Sequence, residues 1–157
     1  MPALAGPGVG SAVPRFSLVD QFGAPVDSGR FADEDAFLVF YPFAFSRVCT
    51  SELGALEALR PELEEQGIGV YGVSVDHKYA LRAYAADEGL GFGLLSDFWP
   101  HGAAATAFGC FDPEHGRALR ETFLLSGGRI ADRFGSAPDA QRPVERYRSA
   151  ARALRRA

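Results

Sequence analysis

The fold is decided within AFLVFYPFAFSRVCTSEL (36–53), where a continuous apolar run passes into a helical pattern. The run AFLVFY (36–41) carries no charged position, which is typical of a strand buried on both faces of a sheet. Pro42 ends this strand, and from Ser46 onward apolar residues recur at offsets of three to five, which predicts a helix. The sequence therefore predicts a strand and a helix joined by a short loop.

The predicted helix continues to Gly67, a residue type that commonly ends helices. Pro61 lies inside the pattern, and proline lacks the N–H that an internal helical position donates. We therefore expect the helix to kink, or to end its first segment, near Leu59 or Arg60.

Strand and helix patterns alternate along the rest of the chain. The predicted elements are a hairpin (14–20 and 24–28), the strand 36–41, the helix from residue 46, a strand (68–75), a helix (77–89), a strand (92–95), a short helix (100–109), a hairpin (120–126 and 129–135) and a helix (141–156). The alternating front half predicts parallel strands, and the turn at Gly127-Gly128 adds an antiparallel pair. This order predicts the α/β class, with a mixed sheet between helices, and it resembles the thioredoxin-like layout.

Length and composition indicate an ordinary globular protein. A chain of 157 residues is typical of one domain, so we predict a single domain over residues 1–157. Residues 1–13 are mainly Gly, Ala, Pro and Ser, which predicts a loose N-terminal arm. The net charge of −4 argues against general attraction to nucleic acid.

The sequence shows neither a membrane span nor a secretion signal. No apolar run approaches the roughly 18 residues that a span requires. The N-terminal residues also lack the basic segment and apolar core of a signal peptide. We therefore predict a cytoplasmic protein without a membrane partner. The spacing of Cys49 and Cys110 matches no disulfide framework and no metal motif, so we predict neither a metal nor a cofactor.

Cys49 falls in the first turn of the predicted helix. A thiol there meets unpaired backbone N–H groups and the positive end of the helix dipole, and both stabilise the thiolate. Ser46 and Glu52 lie three residues before and after it, on the same face, and Pro42 would shield the sulfur from water. Spacing alone leaves an inert, buried cysteine equally open.

Three segments resemble the peroxiredoxin family. Pro42, Ser46 and Cys49 fit its signature P-x-x-x-[ST]-x-x-C, and RETFLL (120–125) matches a strand that opens with an arginine. A third segment, LLSDFWPHGAAATAFG (94–109), is similar to the family's connection between a strand and the next helix. The chain is most similar to the alkyl hydroperoxide reductase E group of one-cysteine peroxiredoxins from actinobacteria, and the resemblance spans roughly residues 12 to 155.

The resemblance implies a role for each matching residue. Cys49 would attack a hydroperoxide and become a sulfenic acid. Ser46 and Arg120 would hold the peroxide oxygens, together with backbone N–H groups near Val48 and Cys49. Glu52 would position the arginine. Arg142 matches the family's second arginine only weakly, and an ordinary charged residue is the favoured interpretation.

Cys110 departs from the resemblance. We favour simple substitution of one small apolar side chain by another, but a resolving cysteine that forms a disulfide with Cys49 stays open. In the favoured case an external thiol (thioredoxin, mycoredoxin or a low-molecular-weight thiol) reduces the sulfenic acid. The family also implies a homodimer and an antioxidant function.

Two other functions stay open. The same scaffold could serve a different redox enzyme, although the missing Cys-x-x-Cys argues against a thioredoxin-like reductase. A non-catalytic chaperone or oligomeric scaffold is the second alternative, and the intact set of matching residues argues against it.

Overall fold

The computed structural model describes residues 6–156 and confirms the predicted order of elements. Those elements are β1 (Ser17–Val19), β2 (Pro25–Asp27), a 3-10 helix (Ser28–Ala32), β3 (Asp35–Phe40), α1 (Arg47–Glu65), β4 (Ile68–Ser74), α2 (Lys78–Glu88), β5 (Gly93–Ser96), α3 (Ala103–Ala107), β6 (Phe111–Asp112), β7 (Arg117–Ala118), β8 (Glu121–Ser126), β9 (Arg129–Gly135) and α4 (Val144–Arg156). The short pair β6 and β7 is an addition, because two-residue strands around a turn leave no alternating pattern to detect.

The central sheet has the strand order β2-β1-β5-β4-β3-β8-β9. Strands β3, β4 and β5 are parallel, whereas β8 runs antiparallel to both β3 and β9. The N-terminal hairpin extends the sheet through an antiparallel pair between Val19 and Ser96. The predicted mixed sheet with flanking helices is confirmed, and β3 lies inside it with a hydrogen-bonded neighbour on each side.

The apolar core lies on both faces of the sheet. Along β3, Phe37 and Val39 pack on one face while Leu38 and Phe40 pack on the other, as the alternation of a strand requires. Helices α1, α2 and α4 contribute buried residues to the first face. Helix α3 and the 3-10 helix contribute to the second face. The run AFLVFY is therefore apolar throughout because both of its faces are covered.

Helix α1 passes through Pro61 without ending, so the predicted end of a first segment there is wrong, while the kink stays a prediction. Leu59 and Leu63 flank the proline and are almost fully buried in the core of the first face. Pro61 costs the helix one backbone hydrogen bond. Burial of the two leucines offsets that cost, because each contributes roughly 1.5–3 kcal/mol.

The predicted loose arm is wrong for residues 7–13, which lie along the sheet edge, while residues 1–5 lie outside the described part. Gly10 N donates to Ile130 O at 2.8 Å, and Ile130 N donates to Ser11 O at 2.9 Å. Strand β9 is the last strand of the sheet, so its outer backbone groups need partners that the arm supplies. The single-domain organisation stays a prediction.

None of the helices within residues 6–156 is both long and apolar enough to cross a bilayer.

Asp97 stabilises the start of α3, whose N-cap residue is Gly102. Its carboxylate accepts hydrogen bonds from Ala104 N and Ala105 N, both at 2.9 Å, and is buried. We expect Asp97→Ala to lower the free energy of unfolding by about 2 kcal/mol, since a lost cap leaves buried N–H groups unpaired. Urea denaturation of this variant checks the value. Asp33→Ala, which removes an exposed carboxylate, should stay within about 0.5 kcal/mol of the wild type.

Candidate active site

The loop between β3 and α1 is held in one specific shape. Ala44 N donates to Asp76 Oδ2 at 2.8 Å, which ties the loop to the end of β4. Phe45 has a φ of 67°, an unfavourable value for a residue other than glycine. Its ring packs on Tyr84 of α2 with 4.9 Å between centroids. These contacts fix the direction in which the chain enters α1.

Cys49 is the third residue of α1, and its side chain is fully buried. Ser46 is the N-cap residue, but its side chain accepts no hydrogen bond from the first turn. Its hydroxyl instead donates to Phe43 O at 2.9 Å. Ser46 therefore does not cap the N–H groups of the first turn, the turn that also contains Cys49.

Arg120 makes the decisive contact, from the residue directly before β8. Its Nη2 donates to Cys49 Sγ at 2.9 Å, and both side chains are buried. Its Nε donates to Pro138 O at 2.7 Å, and its Nη1 donates to Glu52 Oε1 at 3.1 Å. Two further acceptors, Glu52 Oε1 and Pro138 O, thus hold the guanidinium against the sulfur.

Glu52 is shared by two arginines. Arg142 donates to Glu52 Oε2 from its backbone N at 2.6 Å and from Nε at 2.9 Å, and to Oε1 from Nη2 at 2.5 Å. Arg142 is fully buried, so the interpretation as an ordinary charged residue is wrong. Charged groups without solvent need partners, and Glu52 is that partner for Arg120 and Arg142 together.

The network continues through two residues that the sequence did not single out. Arg142 Nη1 donates to Thr122 Oγ1 at 3.0 Å, and Thr122 Oγ1 lies 2.8 Å from the Tyr147 hydroxyl. Burial raises the pKa of Tyr147 to about 12, so the phenol is neutral at physiological pH. Hydrogen bonds therefore connect Cys49 with helix α4. Thr122 lies two residues after Arg120, and residues two apart along a strand point to the same face of the sheet. This spacing is the sequence signal that could have identified Thr122.

The charges around the Cys49 sulfur are predominantly positive. Two guanidinium groups and one carboxylate leave a single positive charge, and Arg120 directs one of its N–H groups at the Cys49 sulfur. Negative charge that develops at the sulfur during a reaction would offset this positive charge, and the first-turn N–H groups lie at the positive end of the helix dipole. The arrangement is therefore suited to a nucleophilic sulfur.

A cleft of about 270 Å³ is lined by Arg120 and by the first turn of α1, while Cys49 itself is fully buried and is not among the lining residues. Its lining residues are Pro42, Phe43, Ser46, Arg47, Val48, Arg117, Arg120, Pro138 and Asp139. The structure thus brings Pro42, Ser46 and Val48 together with Arg120, which in turn contacts Cys49. The volume is slightly below the usual range for sites that hold drug-sized ligands, so it fits a small molecule.

Cys110 is not part of this cluster. It is fully buried in the core on the second face of the sheet, whereas Cys49 belongs to the core on the first face. Both thiols are free. Burial raises the pKa of the Cys110 thiol well above its ordinary value, so it is a neutral, apolar side chain.

Comparisons with known proteins agree with this geometry. The model of the AhpC/TSA family matches residues 9–133. Alkyl hydroperoxide reductase E of Mycobacterium tuberculosis is 38% identical over 123 residues, which cover 78% of this chain and 80% of the relative. Peroxiredoxin Bcp of Escherichia coli is 38% identical over 88 residues, 56% of each chain.

Solved structures show the same fold. The crystal structure of Enterococcus faecalis AhpC superposes with a TM-score of 0.84 at 26% identity, covering 94% of this chain and 92% of that one. Peroxidoxin BcpB of Mycobacterium tuberculosis gives 0.82 at 27% identity, covering 94% and 97%. The family model matches most of the chain, and the buried Arg120 donates a hydrogen bond to Cys49, the cysteine of the family's signature. The chain therefore belongs to the AhpC/TSA family, which is the family of the peroxiredoxins.

Proposed function

We propose that this thiol-dependent peroxidase uses Cys49 as the nucleophile that reduces hydroperoxides. The observation that carries the proposal is the 2.9 Å hydrogen bond from Arg120 Nη2 to Cys49 Sγ inside a buried cluster with spare positive charge. A structural cysteine has no need of such a cation, whereas a nucleophilic thiolate does. The activity named for the relatives, reduction of alkyl hydroperoxides, is the reaction that we assign to this site.

In the first half-reaction the Cys49 thiolate attacks one oxygen of the peroxide. A sulfur–oxygen bond forms as the oxygen–oxygen bond breaks, and the other oxygen leaves as an alkoxide, or as hydroxide from hydrogen peroxide. The leaving oxygen takes a proton and becomes an alcohol or water. Cys49 is oxidised by two electrons to the sulfenic acid, and the peroxide is reduced by the same two electrons.

Arg120 is a catalytic residue in this step, because it touches the reacting sulfur. As the thiolate loses charge to the leaving oxygen, the guanidinium can shift its hydrogen bond toward that oxygen. First-turn N–H groups at Val48 and Cys49, with the Ser46 hydroxyl, supply further donors beside the cleft. Pro42 is buried and restricts access of water to the sulfur. Glu52 is a positioning residue, since it acts by holding Arg120 in place.

In the second half-reaction an external thiol attacks the Cys49 sulfenic acid and releases water. The resulting mixed disulfide is attacked by a second thiol, which regenerates the Cys49 thiolate and releases a disulfide. Thioredoxin, mycoredoxin or a low-molecular-weight thiol fits this step. The protein would act in antioxidant defence in the cytoplasm.

A homodimer fits the surface around Trp99. Trp99 is 82% exposed, and Phe98 and Tyr79 are exposed beside it. Exposed aromatic clusters of this kind are uncommon on monomers and typical of interfaces.

Trapping of the sulfenic acid tests the proposed function. Reduced protein treated with one equivalent of hydrogen peroxide in the presence of dimedone should carry one adduct, located at Cys49 by peptide mass analysis. An adduct at neither cysteine, with unconsumed peroxide, would instead support a repurposed or non-catalytic protein.

We expect Cys110→Ala to reduce hydroperoxides at the wild-type rate within about a factor of two, since its thiol is buried on the other side of the sheet. Mass analysis without reductant, after one equivalent of peroxide, should show no intramolecular disulfide in the wild type. A bridge between Cys49 and Cys110 would contradict this prediction and identify Cys110 as the resolving cysteine.

A further inference from the structure

The cleft beside Cys49 holds two arginines that the proposed chemistry does not use. Arg47 and Arg117 line the same cleft as the catalytic Arg120. Arg120 is nearly fully buried, Arg117 is partly buried and Arg47 is exposed. Solvent exposure therefore increases from Arg120, which contacts the sulfur, through Arg117 to Arg47.

The two outer arginines differ in their partners. Among the described residues, the Arg47 guanidinium makes no hydrogen bond and no ion pair. Arg117 Nε lies 3.6 Å from Asp112 Oδ2, and Asp112 is also bound by His115 Nδ1 at 2.8 Å. Arg117 therefore forms an ion pair with Asp112, which does not line the cleft. The guanidinium of Arg47 has no acidic partner among the described residues.

The remaining lining contains a single acid and several apolar groups. Asp139 is the acid, and it makes no ion pair with a described residue. Pro42, Phe43, Val48 and Pro138 supply the apolar surface. With three arginines against one acid, the lining side chains carry a formal charge of +2 (3 − 1). The N-terminus of the long helix α1, at which Arg47 stands, adds to this positive potential.

We propose that the cleft binds small molecules with an anionic group on a short apolar stem, and that Arg47 and Arg117 hold the anion. The inference rests on the proposed function of Cys49 and specifies its substrate class. A carboxylate at the outer arginines lets the apolar stem cross the proline and phenylalanine surface, with the reactive end near Cys49 Sγ. A carboxylate is ionised at neutral pH, and arginine binds it through two parallel hydrogen bonds.

Two reactants have this chemistry. A hydroperoxide that carries a carboxylate would use the subsite in the first half-reaction. A carboxylate-bearing thiol would use it in the second, because it must reach the same sulfur. Both reactants would bind at the same two arginines. Rate constants measured separately for the two half-reactions show which of them does so.

Matched pairs of reactants test the proposal. For the peroxide arm, rate constants are measured with tert-butyl hydroperoxide and with a tertiary alkyl hydroperoxide that carries a carboxylate. For the thiol arm, the sulfenic acid form is reduced with 2-mercaptoethanol and with mercaptoacetate. The measured quantity is the ratio of anionic to neutral rate constants, in wild type, Arg47→Gln, Arg117→Gln and the double variant.

We expect the double variant to lower this ratio about fivefold in at least one arm, which matches the upper range for exposed ion pairs. The arm in which the ratio falls identifies the reactant. Added salt should lower the wild-type ratio in the same arm, because exposed charges are screened. Arg152→Gln, an exposed arginine on α4 that does not line the cleft, should leave the ratio unchanged.

Equal ratios for wild type and double variant in both arms would overturn the anionic subsite while leaving the peroxidase intact. Failure of the wild type to react with either hydroperoxide would overturn the proposed function itself. The two failures are therefore distinguishable within one set of measurements.

Discussion

Cys49→Ser is expected to lower the second-order rate constant for hydroperoxide reduction by about 10⁴-fold or more, in line with the loss of a catalytic nucleophile. The serine hydroxyl is far less acidic and less nucleophilic than a thiol, so the charge of Arg120 cannot convert it into an equivalent group. The substitution is nearly isosteric in a fully buried position, so the fold should persist. Stopped-flow measurement of peroxide consumption under excess thiol checks the rate.

Cys110→Ala is the matched control for this measurement, because it removes the other buried thiol. Its rate should equal that of the wild type within about a factor of two, and both variants should keep the wild-type circular dichroism spectrum. A Cys49→Ser protein that retains a tenth or more of the wild-type rate would show that another group attacks the peroxide.

Arg120→Lys is expected to lower the same rate constant by about 10²- to 10³-fold, the usual effect of removing one donor that stabilises a transition state. The guanidinium of Arg120 reaches three acceptors at once: Cys49 Sγ, Glu52 Oε1 and Pro138 O. A lysine ammonium keeps the charge but lacks the planar fork, so it cannot keep all three hydrogen bonds in this geometry.

Arg146→Lys is the control substitution for Arg120→Lys. Arg146 binds both oxygens of Asp132, at 2.7 and 2.9 Å, but at a partly exposed position away from the cysteine. Its substitution should leave the rate within about a factor of two and change stability by less than about 1 kcal/mol. If Arg120→Lys retained a fifth or more of the wild-type rate while folding normally, Arg120 would not be a catalytic residue.

The local pattern was sufficient to place Cys49. An apolar run, a proline and a helical period fix where β3 ends and α1 begins, and they put Cys49 in the first turn. These features depend on neighbours within a few residues, for which periodicity is a direct physical signal. The hairpin at Gly127-Gly128 was predictable for the same reason, because its turn conformation requires positive φ.

Features that depend on distant partners were predicted poorly. Arg142 gave no local signal, since its partner Glu52 lies 90 positions away in the sequence. The path of residues 7–13 is set by the free edge of β9, which no pattern within the arm reveals. Pro61 stays within α1 because the core buries the leucines on either side.

Short-range periodicity and backbone chemistry specify the α/β class, the strand–helix junction and the position of Cys49, so these features are readable from the amino-acid sequence. Only the tertiary structure decided which charges surround the sulfur. Glu52 and Arg142 join Arg120 because chain folding brings α1, β8 and the segment before α4 together. Tertiary structure also put Cys110 on the opposite face of the sheet, since the side to which a residue points depends on which elements cover each face.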